Sequence, residues 1–231
     1  MGIYKHLFFD LDHTLWDFEK NSAQAMRNIF ADLLAPRMKV PFEVFHEAYV
    51  EVNDRWWDAY RNELVSKEDL RVGRFSESMQ RFGLVDLILA DEVATAYTDI
   101  GPYMPHLHEG AHEVLHELGE RGYIMHIITN GFEEVQHIKL RESDLKKYFI
   151  EIITSEEAGA KKPDPIIFEH AFKRSRADAS ESLMVGDSMG ADIHGAMKVG
   201  MDQAYFNPKG IPHTESPTYE VKALKELLGI L

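Results

Sequence analysis

Five short, largely apolar runs recur along the chain, and they limit its possible folds more than any other feature. Ile3 to Phe9, Tyr123 to Ile128, Phe149 to Thr154, Ser182 to Val185 and Ala204 to Phe206 all have strand character. Helix-length segments with apolar residues spaced at about 3.6 lie between the later runs: Leu107 to Arg121, Pro165 to Arg174 and Asp192 to Val199. A strand that is apolar on both sides must be covered on both sides. Strands alternating with helices satisfy this as a mainly parallel sheet between helical layers. The expected fold class is therefore α/β, with ligands bound beyond the carboxyl ends of the strands.

One region breaks the alternation. From Phe18 to Tyr97 there is no strand run, and helical spacing appears in Phe42, Phe45, Tyr49 and Val52 and again in Leu70, Phe75, Met79 and Phe82. About eighty residues is far more than a crossover between neighbouring strands needs, so an inserted helical domain is expected at 18–97, with 1–17 and 98–231 forming the core. A chain of 231 residues is long enough for both.

Composition narrows the function. No apolar run approaches the ~20 residues of a membrane helix, and MGIYKHLFFDLD lacks the h-region and cleavage site of a signal peptide, so a cytoplasmic protein is expected. The absence of cysteine removes disulfides, thiolate catalysis and cysteine-ligated zinc together. A formal charge of -14 repels nucleic acid and anionic membranes, so neither is expected as a partner. An anionic substrate would then require local cations or a bound metal.

The stretch FFDLDHTL sets Asp10 and Asp12 two residues apart at the end of the first apolar run. A lone D-x-D is a common turn cap. On an extended backbone, however, residues two apart point the same way, and two carboxylates so placed raise each other's pKa unless a cation intervenes. Such a pair asks for a divalent metal or a shared proton. Three further elements follow later strands. IMHIITNGF ends in Thr129, Asn130 and Gly131, which suit either a phosphate or a helix cap. EEAGAKKPDP brings Lys161 and Lys162 to a loop, and LMVGDSMGAD sets Asp187 directly after a strand with Asp192 five residues on.

Two other motifs compete. HEVLHELG, with His112, Glu113 and His116, matches a zinc-protease pattern, overlapped by a second copy starting at His108. Yet Ala111, Val114, Leu115 and Leu118 form that helix's apolar stripe, which leaves the histidines on its flank. GDSMG around Ser188 matches the serine-hydrolase elbow, but only His194 and His213 follow it and no oxyanion segment is present.

In order, DLDHT at 10–14, IITN at 127–130, Lys162 in KKP and GDSMGAD at 186–192 resemble the four motifs of the haloacid dehalogenase-like hydrolase superfamily. The resemblance spans the chain and implies a Rossmann-like parallel-sheet core with a helical cap inserted after the first strand. ITNGF, SEEAGAKKPDPIIFEHA, LMVGDSMGADIHGAMKVG and GRF at 73–75 resemble the pyrimidine 5'-nucleotidases within it.

Carried over, the resemblance makes Asp10 the nucleophile that becomes an aspartyl phosphate and Asp12 the acid and then the base. Thr129, Asn130, Gly131 and Lys162 would hold the phosphoryl group. Mg2+ would be held by Asp10, the Asp12 carbonyl, Asp187 and Asp192. Dehalogenases lack an acid at the position of Asp12, since a halide leaves without a proton. The implied function is a phosphomonoesterase acting on pyrimidine nucleotides, with a small-molecule phosphate monoester as the expected partner of a monomer or homodimer. A phosphatase for sugar phosphates or phosphoglycolate, a dehalogenase and a non-enzymatic binding protein are the alternatives. In the insertion, Trp56, Trp57 and Tyr60, and beside the first motif Trp16 and Phe18, suit either stacking on a base or packing, and Arg71 and Arg74 suit either a substrate or solvent.

Overall fold

The strands of the computed structural model, which describes residues 4–231, are β1 His6–Phe9, β2 Ile124–Thr129, β3 Phe149–Thr154, β4 Ser182–Gly186, β5 Asp202–Phe206 and β6 Tyr219–Val221. They form one parallel sheet in the order β3-β2-β1-β4-β5-β6. The chain moves outward from β1 through β2 to β3, then returns to β4 on the other side of β1. That reversal makes the carboxyl end of β1 the topological switch point, where open α/β sheets bind ligands. Both faces are covered, as the apolar runs require. Phe8, Ile128 and Met184 pack in one cluster with Ile167, Phe168 and Ala196, while the alternate residues Leu7, Phe9, Ile127 and Val185 are equally buried.

Residue Ile3 of the first apolar run lies outside the described residues, and within them the strand starts at His6, after Tyr4 and Lys5. The sequence reading missed β6, a three-residue edge strand with one well-buried side chain and too short to show a period. It is placed by the preceding loop, where the buried Asn207 amide bonds the Ile211 carbonyl at 3.0 Å and Glu220 at 2.8 Å.

The chain divides into two compact units, the described residues up to Phe18 with Pro105–Leu231, and Glu19–Met104. The second is all helical. It comprises α1 Phe18–Ile29 from its second residue on, α2 Phe42–Arg61, α3 Lys67–Gln80 and α4 Leu87–Ile100, with a wide turn Phe30–Leu34 after α1 and a tight one Gly101–Tyr103 after α4. Ser66 caps α3 in a reciprocal box with Asp69, and Asp86 caps α4. One apolar core joins Met26, Ile29, Phe45, Tyr49, Phe75, Met79 and Val93, with Phe42 and Phe82 packed against it, so six of the eight residues whose helical spacing marked the insertion meet there.

In the sheet unit α5 is Ala111–Glu120, α6 Glu133–Glu142, α7 Ser155–Ala158, α8 Pro165–Ser175 and α9 His194–Lys198. α5 starts four residues later than its apolar spacing suggested because Gly110, at φ 82, turns the chain just ahead of it. α8 opens as its sequence reads, with Pro165 in the first turn and the Asp164 side chain capping Ile166 N-H. Ahead of α9 the chain makes a wide turn, Met189–Ile193, capped by Ser188. Among the described residues no helix is long and apolar enough to cross a membrane.

Inside the sheet lies a buried histidine pair. His6 Nδ1 and His126 Nε2 face each other at 3.1 Å with the rings stacked, and His126 also stacks on Phe8. Only one of the two facing nitrogens can carry a proton for the bond to form. Burial first, then its neighbour His6, pushes His126 down to about 4; burial, with Lys5, lowers His6, and Glu181 and Asp178 only partly oppose this. A histidine depressed on folding binds its proton more readily in the unfolded chain. Its contribution is therefore complete above the ordinary histidine pKa and is lost as pH falls from about 6.5 toward 4. The wild type should lose more stability between pH 7.5 and 5 in urea unfolding than a His126→Leu variant, at up to about 1.4 kcal/mol per pH unit for one proton.

Candidate active site

Beyond Phe9 the backbone leaves the sheet and closes a compact loop. Asp10 N-H is held by the Val185 carbonyl of β4 at 2.9 Å, and Leu15 and Trp16 N-H groups both return to the Leu11 carbonyl, with His13 at φ 65 between them. Thr14 is fully buried and ties this loop to the end of β4. Its hydroxyl donates to Asp187 Oδ1 at 3.2 Å and accepts from Asp187 N-H at 3.1 Å.

Three strand ends converge on one lysine. Lys162, 2% exposed, donates to Asp10 Oδ1 at 2.6 Å, to Asp192 Oδ1 at 2.6 Å and to the Ile128 carbonyl at 2.7 Å, which occupies all three ammonium hydrogens. Its backbone is gripped by the Asn130 side chain, whose Oδ1 accepts from Lys162 N-H at 2.8 Å and whose Nδ2 donates to Lys162 O at 2.9 Å. Lys161, by contrast, is only half-buried. Asp192 sits within the turn Met189–Ile193 that follows β4. It lies buried, accepting from Ser188 N-H at 3.0 Å as well as from Lys162, and Gly186 makes room for it, because a Cβ there would fall 2.3 Å from its carboxylate.

Asp10, Asp187 and Asp192 each place a carboxylate oxygen within 4.8 Å of the other two, the one such grouping of acids and histidines among the described residues. The charge does not balance, since three carboxylates face one ammonium. Burial pushes Asp10 up to about 7 despite Lys162, and removal from water together with Asp10 and Asp192 raises Asp187 well above the carboxylate range. Burial opposes the Lys162 ammonium, but Asp10 and Asp192 outweigh it and hold the lysine charged. Three hard oxygen donors with surplus negative charge are a donor set that fits Mg2+.

Asp12 does not join this cluster. The strand ends at Phe9, so the alternation that would point Asp10 and Asp12 the same way no longer operates. The Asp12 carboxylate is held by two side chains of α6 instead, Lys139 Nζ at 2.6 Å from Oδ1 and Gln136 Nε2 at 3.0 Å from Oδ2. Neither was visible in advance. They stand three apart on one face of EEVQHIKLRE, a segment that reads as solvated, yet both are buried. The Thr129 hydroxyl donates to Gln136 Oε1 at 3.2 Å and accepts from Gly131 N-H at 3.0 Å, and a Cβ on Gly131 would overlap the Gln136 amide.

The competing motifs separate. His112 lies near the Tyr148 hydroxyl at 3.4 Å, while His194 and His213 pair with Glu215 and Glu220, and the Ser188 hydroxyl accepts from Ala191 N-H. In the helical unit the Trp56 ring lies against Gly73, with Nε1 on Glu77 at 2.8 Å, and Arg71 is paired to Glu68 and Asp91. Arg74 is buried over Phe75 and Tyr97 and donates to Asn53 Oδ1 at 2.9 Å. Trp16 lies beneath the Lys139 ammonium at 4.1 Å. Trp56 and Arg71 thus serve packing and surface pairing.

A family model described as haloacid dehalogenase-like hydrolase matches residues 4–200. The chain is 33% identical to the pyrimidine 5'-nucleotidase PynA of Streptococcus pneumoniae over 99% of its own length and 95% of that protein's. It is 31% identical to the pyrimidine 5'-nucleotidase YjjG of Escherichia coli, over 97% and 96%. The crystal structure of the HAD-hydrolase YfnB from Bacillus subtilis bound to magnesium superposes with a TM-score of 0.88 at 29% identity, covering 99% of each chain.

Removing the central cation should be costly. Lys162→Met leaves buried carboxylates without their partner and is expected to lose about 3–5 kcal/mol in urea unfolding at neutral pH. Gly186→Ala, which pushes Asp192 off its seat, should cost about 1–3 kcal/mol in the same measurement.

Proposed function

The chain belongs to the haloacid dehalogenase-like hydrolase family, and as a phosphoric monoester hydrolase of that family we propose that it is a Mg2+-dependent 5'-nucleotidase acting on pyrimidine nucleoside monophosphates. The observation that carries the chemistry is the gathering of Asp10, Asp187 and Asp192 around Lys162 at the switch point of the sheet. The pyrimidine specificity is supported by full-length similarity to two proteins of that activity. The helical unit is proposed as the family's inserted cap.

Asp10 attacks phosphorus, forming an aspartyl phosphate while the ester P-O bond breaks. Asp12 gives its proton to the departing ribose oxygen. In the second half a water attacks the same phosphorus, Asp12 takes its proton, and the Asp10-phosphorus bond breaks to release orthophosphate. Lys162 offsets the charge of the phosphoryl oxygens. The backbone N-H at Asn130 orients them, the Thr129 hydroxyl and the Gly131 N-H being committed to Gln136 Oε1 and Thr129 Oγ1, and the Asn130 side chain keeps the Lys162 segment in place. Mg2+, held by Asp10, Asp187, Asp192 and the Asp12 carbonyl, would neutralise the charge of the ester dianion and of its loose transition state.

Asp10→Asn should lower turnover of uridine 5'-monophosphate by more than about a thousandfold. EDTA should abolish turnover and added Mg2+ restore it. Undiminished activity in either case would overturn the mechanism. A substrate panel decides specificity: pyrimidine monophosphates should be cleaved faster than phosphoglycolate or triose phosphates, and the reverse order would assign the enzyme to those smaller esters. Millimolar Mg2+ should raise the melting temperature of the wild type and leave that of Asp187→Asn nearly unchanged.

A further inference from the structure

We propose that Lys139 and Gln136 are positioning residues that hold the Asp12 carboxylate in its working orientation. The proposal rests on the role given to Asp12 above, and it concerns geometry. A proton donor in this reaction must lie within hydrogen-bond reach of the leaving oxygen, so the direction of its carboxylate matters as much as its presence.

The two contacts divide the work between the two oxygens. Lys139 Nζ takes Oδ1 and Gln136 Nε2 takes Oδ2, which fixes both the position and the plane of the group. An ionised carboxylate offers about four lone-pair sites, so one remains open on each oxygen for a proton or a substrate. The holders are themselves held. The Gln136 amide is oriented by the Thr129 hydroxyl and admitted by the bare Cα of Gly131. The Lys139 ammonium lies 4.1 Å over the Trp16 ring, and the residue's own carbonyl accepts the Ser143 hydroxyl at 2.6 Å. Apart from Ser143 at the end of α6, these supports lead back to the loop after β1 or to the turn after β2.

A buried acid-lysine pair gives a fold little net stability, because both charges lose their hydration. An arrangement that spends a buried lysine and a buried glutamine on one carboxylate is better explained by what that carboxylate must do. Lys139→Met keeps an unbranched side chain of similar length and removes the ammonium that reaches Asp12 and Trp16, and Lys139→Arg restores a cationic donor.

The test compares two probes through kcat/KM, which reports steps up to phosphorylation of Asp10. Uridine 5'-monophosphate loses an alkoxide that needs a proton, and p-nitrophenyl phosphate loses a phenolate that does not. Lys139→Met should lower kcat/KM on the nucleotide by about thirtyfold or more, part of the ~10²–10⁴ that general acid catalysis supplies. On p-nitrophenyl phosphate the loss should stay under about threefold, and Lys139→Arg should recover part of the nucleotide activity. Gln136→Leu should show the same selective loss, and carries the comparison if Lys139→Met does not fold.

Equal losses on both probes, no loss, or a gain on the nucleotide would overturn the proposal, the gain meaning that the clamp holds Asp12 away from its work. Failure of both variants to fold would make the pair structural and sink it as well. If the wild type turns over neither probe with Mg2+ present, the proposed function fails instead.

Discussion

Lys162 is the interaction on which the rest of the site depends. Its ammonium is buried and fully committed to two carboxylates and a backbone carbonyl. Without it, acids from the ends of β1 and β4 and from the turn beyond β4 would face one another unscreened, and their hold on protons would tighten further. With it, they are still one cation short. The same arrangement therefore holds the strand ends together and leaves a net attraction for a further positive charge, which a phosphate dianion needs before it can approach a chain of formal charge -14.

The sheet makes this convergence possible. Because the strands are parallel, the loops after β1, β2 and β4 all open at one edge, and the strand order sets them side by side, so residues far apart in sequence meet there without long excursions. Small side chains matter at the closest approaches. Gly186 admits the Asp192 carboxylate and Gly131 the Gln136 amide, both at distances a Cβ would forbid. Asn130, a helix cap or phosphate ligand when read as sequence, is committed to the backbone of Lys162 and so works through its neighbour.

Two environments for two acids follow from a single loop. Asp10 faces the acid cluster and is pushed up to about 7 by burial, whereas Asp12 is turned to Lys139 and Gln136. Groups with such different surroundings suit different tasks, as is usual where one site needs a nucleophile and a proton carrier.

The sequence by itself determined the α/β class, five of the six strands and the presence of a long helical insertion, because apolar periodicity records which faces must be buried. It also carried the acids, the turn after β2 and the choice of Lys162 through motif order, which survives as local chemistry at strand ends. Only the tertiary structure decided which acids share a cation. Spacing alone joined Asp10 to Asp12, but the strand stops at Phe9 and the cluster forms instead with Asp187 and Asp192. Lys139 and Gln136 were likewise out of reach, since a polar residue on a polar helix carries no mark of burial until another element packs over it. Periodicity is a property of one segment and can be read along the chain, whereas a charge's partners are set by which segments the fold brings within a few ångströms.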